Sequence, residues 1–191
     1  MPRENKTRYA LLGMLTYGPM SGYDMKKMSD HSIGHFWNEN FGNIYPVLKK
    51  MDAQGLVTME KQEQDGVPDR KVYTITDAGR QVFADWMQRS PEPTKLREEL
   101  ILQLFFGQWF PSELTIEKLR EEEERCNRML RTFREIRDHM EQPDEADDSA
   151  PPEMQEIFRK GSPYWSGTVI FGMNYYKGVR ESCRQIIDDL E

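Results

Sequence analysis

The sequence predicts a mainly α-helical chain carrying one small β-hairpin, and three observations predict it. Ile44, Leu48 and Met51 recur at i, i+4 and i+7, an apolar stripe at helical period, and Gly55 just beyond supplies a left-handed stop. Two runs rich in strand formers follow at 56–63 and 70–75, separated by the turn-rich 64–69 with its Asp-Gly pair. Further on, Leu119, Cys126, Phe133 and Met140 repeat every seven residues, with Met129 and Ile136 interleaved. A short helix feeding a hairpin with a basic second strand is the layout of a winged helix-turn-helix. The heptad repeat is the spacing of helices that pair along their length. The expected architecture is a winged helix-turn-helix over residues 1–90 and an α-helical dimerisation domain over 91–191.

Taken in order, residues 6–17 read as a first helix with Leu11, Leu12, Met14 and Leu15 facing the core, ended by Gly18-Pro19. Ser21-Gly22-Tyr23-Asp24 is a capping-box start for a second helix reaching about His31. A loop through Gly34 leads to Phe36 and Trp37, expected to pack beneath the third helix. Pro46 fits a helix only in its first turn, which places that helix's cap near Gly42 or Asn43. Thr76 or Asp77 caps a fourth helix with Val82, Phe83, Trp86 and Met87 on one face. Ser90-Pro91-Glu92-Pro93 is the linker candidate.

Beyond the linker the texture changes. Residues 95–110 are apolar nearly all round and predict a buried helix. Pro111-Ser112 breaks it, and 113–142 predicts one long helix bearing the heptad seam. The acidic, Pro-rich stretch 143–152 predicts a mobile loop. Pro163 introduces a last helix with Trp165, Val169, Gly172, Tyr176, Val179, Cys183, Ile187 and Leu190 on one face. Such long apolar faces need a partner, so Leu119, Cys126, Met129, Phe133, Ile136, Val169, Tyr176 and Ile187 are the expected interface of a homodimer.

Composition excludes several classes. Two cysteines, Cys126 and Cys183, are too few for a disulfide framework and suggest a reducing compartment. The N-terminus lacks an apolar run of signal-peptide length, and no stretch is long enough to span a membrane, so the cytoplasm is expected. His31, His35 and His139 show no metal-ligand spacing, and no phosphate loop, nucleophile elbow or paired-carboxylate motif occurs in a credible setting. Neither metal, cofactor nor catalysis is expected. The net charge of −7 is unevenly spread: residues 1–90 hold twelve Lys/Arg against eleven Asp/Glu, so the acidic excess sits in the second half. What matters for a nucleic-acid partner is the local patch.

The residue runs carry a closer resemblance. Ala10 to Leu15, Ser21-Gly22-Tyr23-Asp24, Phe36-Trp37, Asn43-Ile44-Tyr45-Pro46-Val47-Leu48-Lys49-Lys50 and Arg70-Lys71-Val72-Tyr73-Thr74-Ile75-Thr76-Asp77-Ala78-Gly79 resemble, in unbroken order, the PadR family of bacterial transcriptional regulators. The second half resembles the longer PadR subgroup in pattern only, through 96–107 and the aromatic last helix. The resemblance implies a homodimeric repressor on pseudo-palindromic operator DNA. Asn40 and Asn43 are then candidates for base edges and Tyr45 for a phosphate or a base. Lys49 would hold phosphate, and Lys61, Arg70 and Lys71 on the wing would meet phosphates or the minor groove. Asp65 and Asp69 near the wing tip oppose that contact. The family also implies an aromatic or lipophilic effector between the winged helix and the C-terminal helices, with Trp37, Phe106, Trp165 and Tyr176 as candidates. The plainer reading of these rings is packing. The alternatives are a winged-helix protein-interaction module, or an activator without a small-molecule effector.

Overall fold

In the computed structural model the described residues are 5–37, 41–62, 69–93, 96–141 and 152–191, with side chains undescribed at 41, 42, 153 and 154. The chain divides into two units, Met1–Pro93 and Thr94–Glu191.

The first unit opens with helix α1, Thr7–Leu15, whose Leu11, Leu12, Met14 and Leu15 are buried as the pattern predicts. A two-residue strand, β1 (Met20–Ser21), leads into α2 (Gly22–Asp30). Ser21 caps α2: its hydroxyl accepts from the Asp24 N–H at 3.2 Å, while the Asp24 carboxylate accepts from the Ser21 N–H at 3.0 Å. After a 3-10 turn at Ile33–His35 comes α3, Phe41–Ala53. Gly55, at φ 69°, turns the chain into β2 (Val57–Gln62), which pairs antiparallel with β3 (Arg70–Ile75). The sheet order is β1-β3-β2. Strand β1 is absent from the sequence reading because two residues carry no periodic signal.

Helix α4, Asp77–Met87, closes the unit. Its N-cap Thr76 accepts from the Gly79 N–H at 3.1 Å and donates its hydroxyl to the Gly55 carbonyl at 2.7 Å. Gly79 is needed there, since a Cβ would lie 2.1 Å from the Leu56 carbonyl oxygen. Trp86 stacks on Tyr9 with ring centroids 4.7 Å apart, which ties α4 to α1. The core beneath is Tyr9, Leu12, Met25, Ile44, Leu48, Met51, Val57 and Tyr73, with their neighbours.

Three expectations for this unit are corrected. Phe36 and Trp37 do not lie buried beneath α3: they are 58% and 39% exposed, because Ile44, Val47, Leu48 and Met51 already fill that side of the helix. Met87 is exposed too, being at the last turn of α4 beyond the reach of the core. Helix α3 begins at or before Phe41, so Pro46 is past its first turn and leaves the Gly42 carbonyl without an i+4 N–H donor.

The second unit is organised by α6 (Ser112–Glu141) and α7 (Pro152–Leu190). Their pairings run in opposite directions: Arg120 with Glu191 at 2.6 Å, Glu123 with Arg184 at 2.6 Å, Asn127 with Arg180 at 3.2 Å. Gly172 lets the two helices approach, since a Cβ there would meet the Phe133 ring at 2.5 Å. Pro163 does not begin the last helix but lies inside α7. Residues 142–151, most of the predicted mobile loop, lie outside the described residues.

The heptad seam lies along the α6–α7 pairing. Leu119 packs with Ile116, Cys183 and Ile187; Phe133 packs with Leu130, Val169 and Met173, flanked by Met129, Ile136, Met140 and Tyr176; Cys126 is fully buried. Leu119, Cys126, Phe133, Val169 and Ile187 are buried within one chain, where α7 lies along the seam, while Met129, Ile136 and Tyr176 are half-buried. The region 95–110 is also not one buried helix. It is a short α5 (Glu99–Phe105) and a 3-10 turn (Gly107–Trp109), separated from α6 by Phe110 and Pro111, and most of its large apolar side chains are exposed. Leu100 of α5 packs against the α6–α7 core.

Candidate nucleic-acid interface

Helix α3 divides cleanly. Ile44, Val47, Leu48 and Met51 are buried, and Asn43, Tyr45, Pro46, Lys49 and Lys50 are exposed on the opposite side. Tyr45 and Lys49, at i and i+4, lie one above the other. Asn40, the other proposed base-reading residue, falls outside the described residues. Tyr45 has a second role that the sequence did not reveal: its ring lies against Gly22, where a Cβ would meet it at 2.7 Å. Helix α3 is therefore seated on the first residue of α2. Burial first, then the Asp52 carboxylate and Tyr45, push the Tyr73 phenol above its ordinary value.

The wing's register decides which of its cations face outward together. Val57 opposes Ile75, Met59 opposes Tyr73, and Lys61 opposes Lys71. Directly opposed residues share a face, so the two lysines extend the row of core residues past the point where the core ends. Both are exposed, and among the described residues neither has an ion-pair partner. Like charges directly opposite each other cost stability unless an anion lies between them. Asp69, two residues before Lys71, is on the same face and offsets part of this charge. Asp65 lies outside the described residues.

Arg70 differs from the lysines. It opposes Gln62 on the other face and pairs with the Asp24 carboxylate of the α2 capping box. Burial pushes the Asp24 carboxyl up, but the Ser21 hydroxyl and amide together with Arg70 outweigh it and hold the group below the usual 3.8. No sequence signal announces this pair, because its partners are 46 positions apart.

In the second unit the proposed effector residues do not form one cluster. Tyr176 is engaged in the α6–α7 core, with Phe133 at 6.0 Å and the Arg125 guanidinium 5.5 Å from its ring centroid. Arg125 also donates to the Glu122 carboxylate at 2.6 Å. Trp165 packs edge-on against Phe158 at 5.5 Å and covers Gly161. It lies eleven residues from Tyr176 on one helix, a separation of about 16 Å, too far for one small ring to touch both. Phe106 is exposed and contacts Phe105 edge-on at 5.0 Å. Trp37 belongs to the first unit. Both cysteines are buried: burial foremost, then Glu122, pushes the Cys126 thiol up to about 11 and raises the Cys183 thiol in the same direction, which disfavours the reactive thiolate.

Residues 11–85, which contain α3, the wing and the α2 cap, match the model of the transcriptional regulator PadR-like family. This part of the chain belongs to the PadR-like family of transcriptional regulators. Residues 96–191 match a second model, the virulence activator alpha C-terminal region. The negative transcriptional regulator PadR of Bacillus subtilis is 37% identical over 100 residues, 52% of this chain and 55% of that protein. The chain spans about half the length of the curated relatives it matches. Among solved structures, B. subtilis PadR in complex with operator DNA superposes with a TM-score of 0.76 at 22% identity, over 98% of this chain and 100% of that one. The same protein in complex with p-coumaric acid gives 0.73 at 22%, over 97% and 99%. The Vibrio cholerae virulence activator AphA gives 0.61 at 23%, over 94% and 98%. At these identities the likeness is one of fold: a winged helix-turn-helix followed by a helical unit. No helix among the described residues is long and apolar enough to cross a membrane.

Proposed function

We propose that this PadR-like regulator is a cytoplasmic homodimeric repressor that inserts α3 into the major groove of a pseudo-palindromic operator and lays its wing along the backbone. The observation that carries this reading is the pairing of an outward face bearing Asn43, Tyr45 and Lys49 with two opposed wing lysines whose charge Asp69 offsets only in part. Asn43 reads a base edge, Lys49 holds phosphate, and Lys61 and Lys71 bracket a phosphate, which relieves their mutual repulsion. The operator complex of B. subtilis PadR supports the same use of the fold. Promoter DNA titrated against salt tests it: log K should fall linearly with log salt. A chain with little DNA affinity at any salt would instead be a protein-docking module.

Dimerisation is assigned to the surface that the α6–α7 hairpin leaves uncovered. Leu102, Phe105, Phe106, Trp109 and Phe110 are exposed on and after a seven-residue helix that is too short to persist alone. Large contiguous apolar patches mark association sites, and a second copy related by a two-fold axis covers them on both chains. For the effector, the p-coumaric acid complex of B. subtilis PadR supports an aromatic acid. Titrating phenolic acids against tryptophan fluorescence tests this, with Trp37 and Trp165 as the nearest reporters to the proposed residues. The match of 96–191 to a virulence activator region, and the AphA fold likeness, favour activation as the second reading. A reporter fused to the chain's own operator decides the sign.

A further inference from the structure

On the reading that this chain binds DNA, we propose that the first turn of α2 is the joint that fixes the wing against the recognition helix, with Asp24 and Arg70 as positioning residues in it rather than DNA contacts. Three features meet within four residues. One oxygen of Asp24 accepts from the Ser21 N–H at 3.0 Å, from the Ser21 hydroxyl at 2.7 Å, and from the Arg70 guanidinium. Ser21 itself belongs to β1 and pairs with Val72 of the wing strand. Gly22 carries the ring of Tyr45 from α3.

The need for a tie follows from the sheet. Strand β1 covers β3 only at Val72 and Tyr73, while the β2–β3 pairing continues outward to Gln62 and Arg70. Beyond Val72 the hairpin has no third strand, and a two-stranded ribbon is free to twist about that point. Arg70 sits two residues outside it and is fastened to the cap of α2, whose next residue seats α3. The wing lysine at 71 and the reading residues of α3 thus share one anchor. An arginine already bonded to a carboxylate also presents little net charge to a phosphate.

The test uses the full-length protein and an operator fragment, titrated with salt. Arg70→Ala and Asp24→Asn should each weaken operator binding roughly twofold to fivefold, the range of a part-exposed ion pair. The double variant should be no worse than either single one, and the salt slope should stay at the wild-type value. Lys71→Ala, run alongside, should lower the slope by about one unit per protomer. Asp24→Asn keeps a side-chain oxygen for the cap, and an unchanged melting temperature shows that α2 survives. Arg70→Lys should restore most of the affinity, again without changing the slope. The decisive sign belongs to Asp24: removing a negative charge beside DNA strengthens binding if that carboxylate has no positioning role. Tighter binding by Asp24→Asn, or a slope lowered by about one unit in Arg70→Ala, would overturn the joint and make Arg70 a phosphate contact. A wild-type chain showing no salt-dependent DNA binding would overturn the function itself, and the joint with it.

Discussion

The opposed wing lysines give the sharpest test, because one substitution should move stability and affinity in opposite directions. Lys61 and Lys71 form a direct cross-strand pair, with Cβ atoms about 5 Å apart and ammonium groups free to splay to about 7 Å by rotation. At that distance two unit charges repel by about 0.6 kcal/mol in water, and physiological salt reduces this to about 0.3 kcal/mol. Asp69 on the same face trims it further. Lys71→Gln keeps the side-chain length and removes the charge, so the free protein should become slightly more stable, by about 0.2–0.4 kcal/mol. Its melting temperature should rise by about 1–2 °C.

Binding should respond the other way, and more strongly. One phosphate contact contributes about 0.9 to the magnitude of the salt slope, so a variant dimer loses about 1.8 over two half-sites. Per half-site the deficit is about fifteenfold at 50 mM salt and about fourfold at 200 mM, shrinking because the lost term is counterion release. Fluorescence anisotropy across that range measures both quantities. A slope unchanged from wild type would place the wing away from phosphate. A melting temperature that falls together with the affinity would mean that the lysines support the fold, and the DNA effect would then be secondary.

Three further outcomes are expected. Asn43→Ala should relax sequence preference at a cost of about 1–3 kcal/mol on the operator, while Lys49→Ala weakens operator and random DNA alike and lowers the slope by about one unit per protomer; identical behaviour of both variants removes Asn43 from the reading set. Gly79→Ala would force a methyl to within 2.1 Å of the Leu56 carbonyl oxygen, costing about 1–3 kcal/mol or more of stability; an unshifted denaturant midpoint would disprove that close approach. Phe105→Glu, on a side chain 76% exposed in the single chain, should yield monomers of native helicity in sedimentation, whereas Phe133→Asp should unfold the α6–α7 hairpin; a helical monomer from Phe133→Asp returns the interface to the seam.

In the first unit the caps of α2 and α4 were legible in the sequence, while that of α3 was not. Ser21 with Asp24, Gly55, and Thr76 with Gly79 are local signals, each written within four residues of the atoms it governs, and local rules suffice to read them. The apolar stripe of α3 was legible for the same reason. What was not legible is what joins distant segments: β1 against β3, Tyr45 on Gly22, and Arg70 on Asp24. The wing cations illustrate the limit. Lys61, Arg70 and Lys71 look equivalent in the sequence, and only the register of a hairpin and a partner 46 positions away separate Arg70 from the other two.

The second unit shows a different limit. The heptad through Leu119, Cys126 and Phe133 was correctly read as a seam, yet a seam states only that a helix must lie against it. It does not state whose helix. In the chain, α7 lies antiparallel along α6 and buries Leu119, Cys126 and Phe133, while Met129, Ile136 and Tyr176 stay half-buried. The all-round apolar character of 95–110 gives the complementary signal, read in the sequence as burial inside one chain. There Leu102, Phe105, Trp109 and Phe110 are left outside, as Ile170, Phe171 and Tyr175 are on α7. Burying those side chains is worth about 1.5–3 kcal/mol each before entropy is charged against it. A symmetric pair counts every contact twice, so even this short segment can supply a stable two-fold interface. Two recognition helices can meet major grooves about 34–36 Å apart only if that interface holds one geometry. The association surface and the spacing of the half-sites it serves are therefore one constraint, and a substitution at Phe105 that loosens the dimer should lose operator binding before it loses binding to a single half-site.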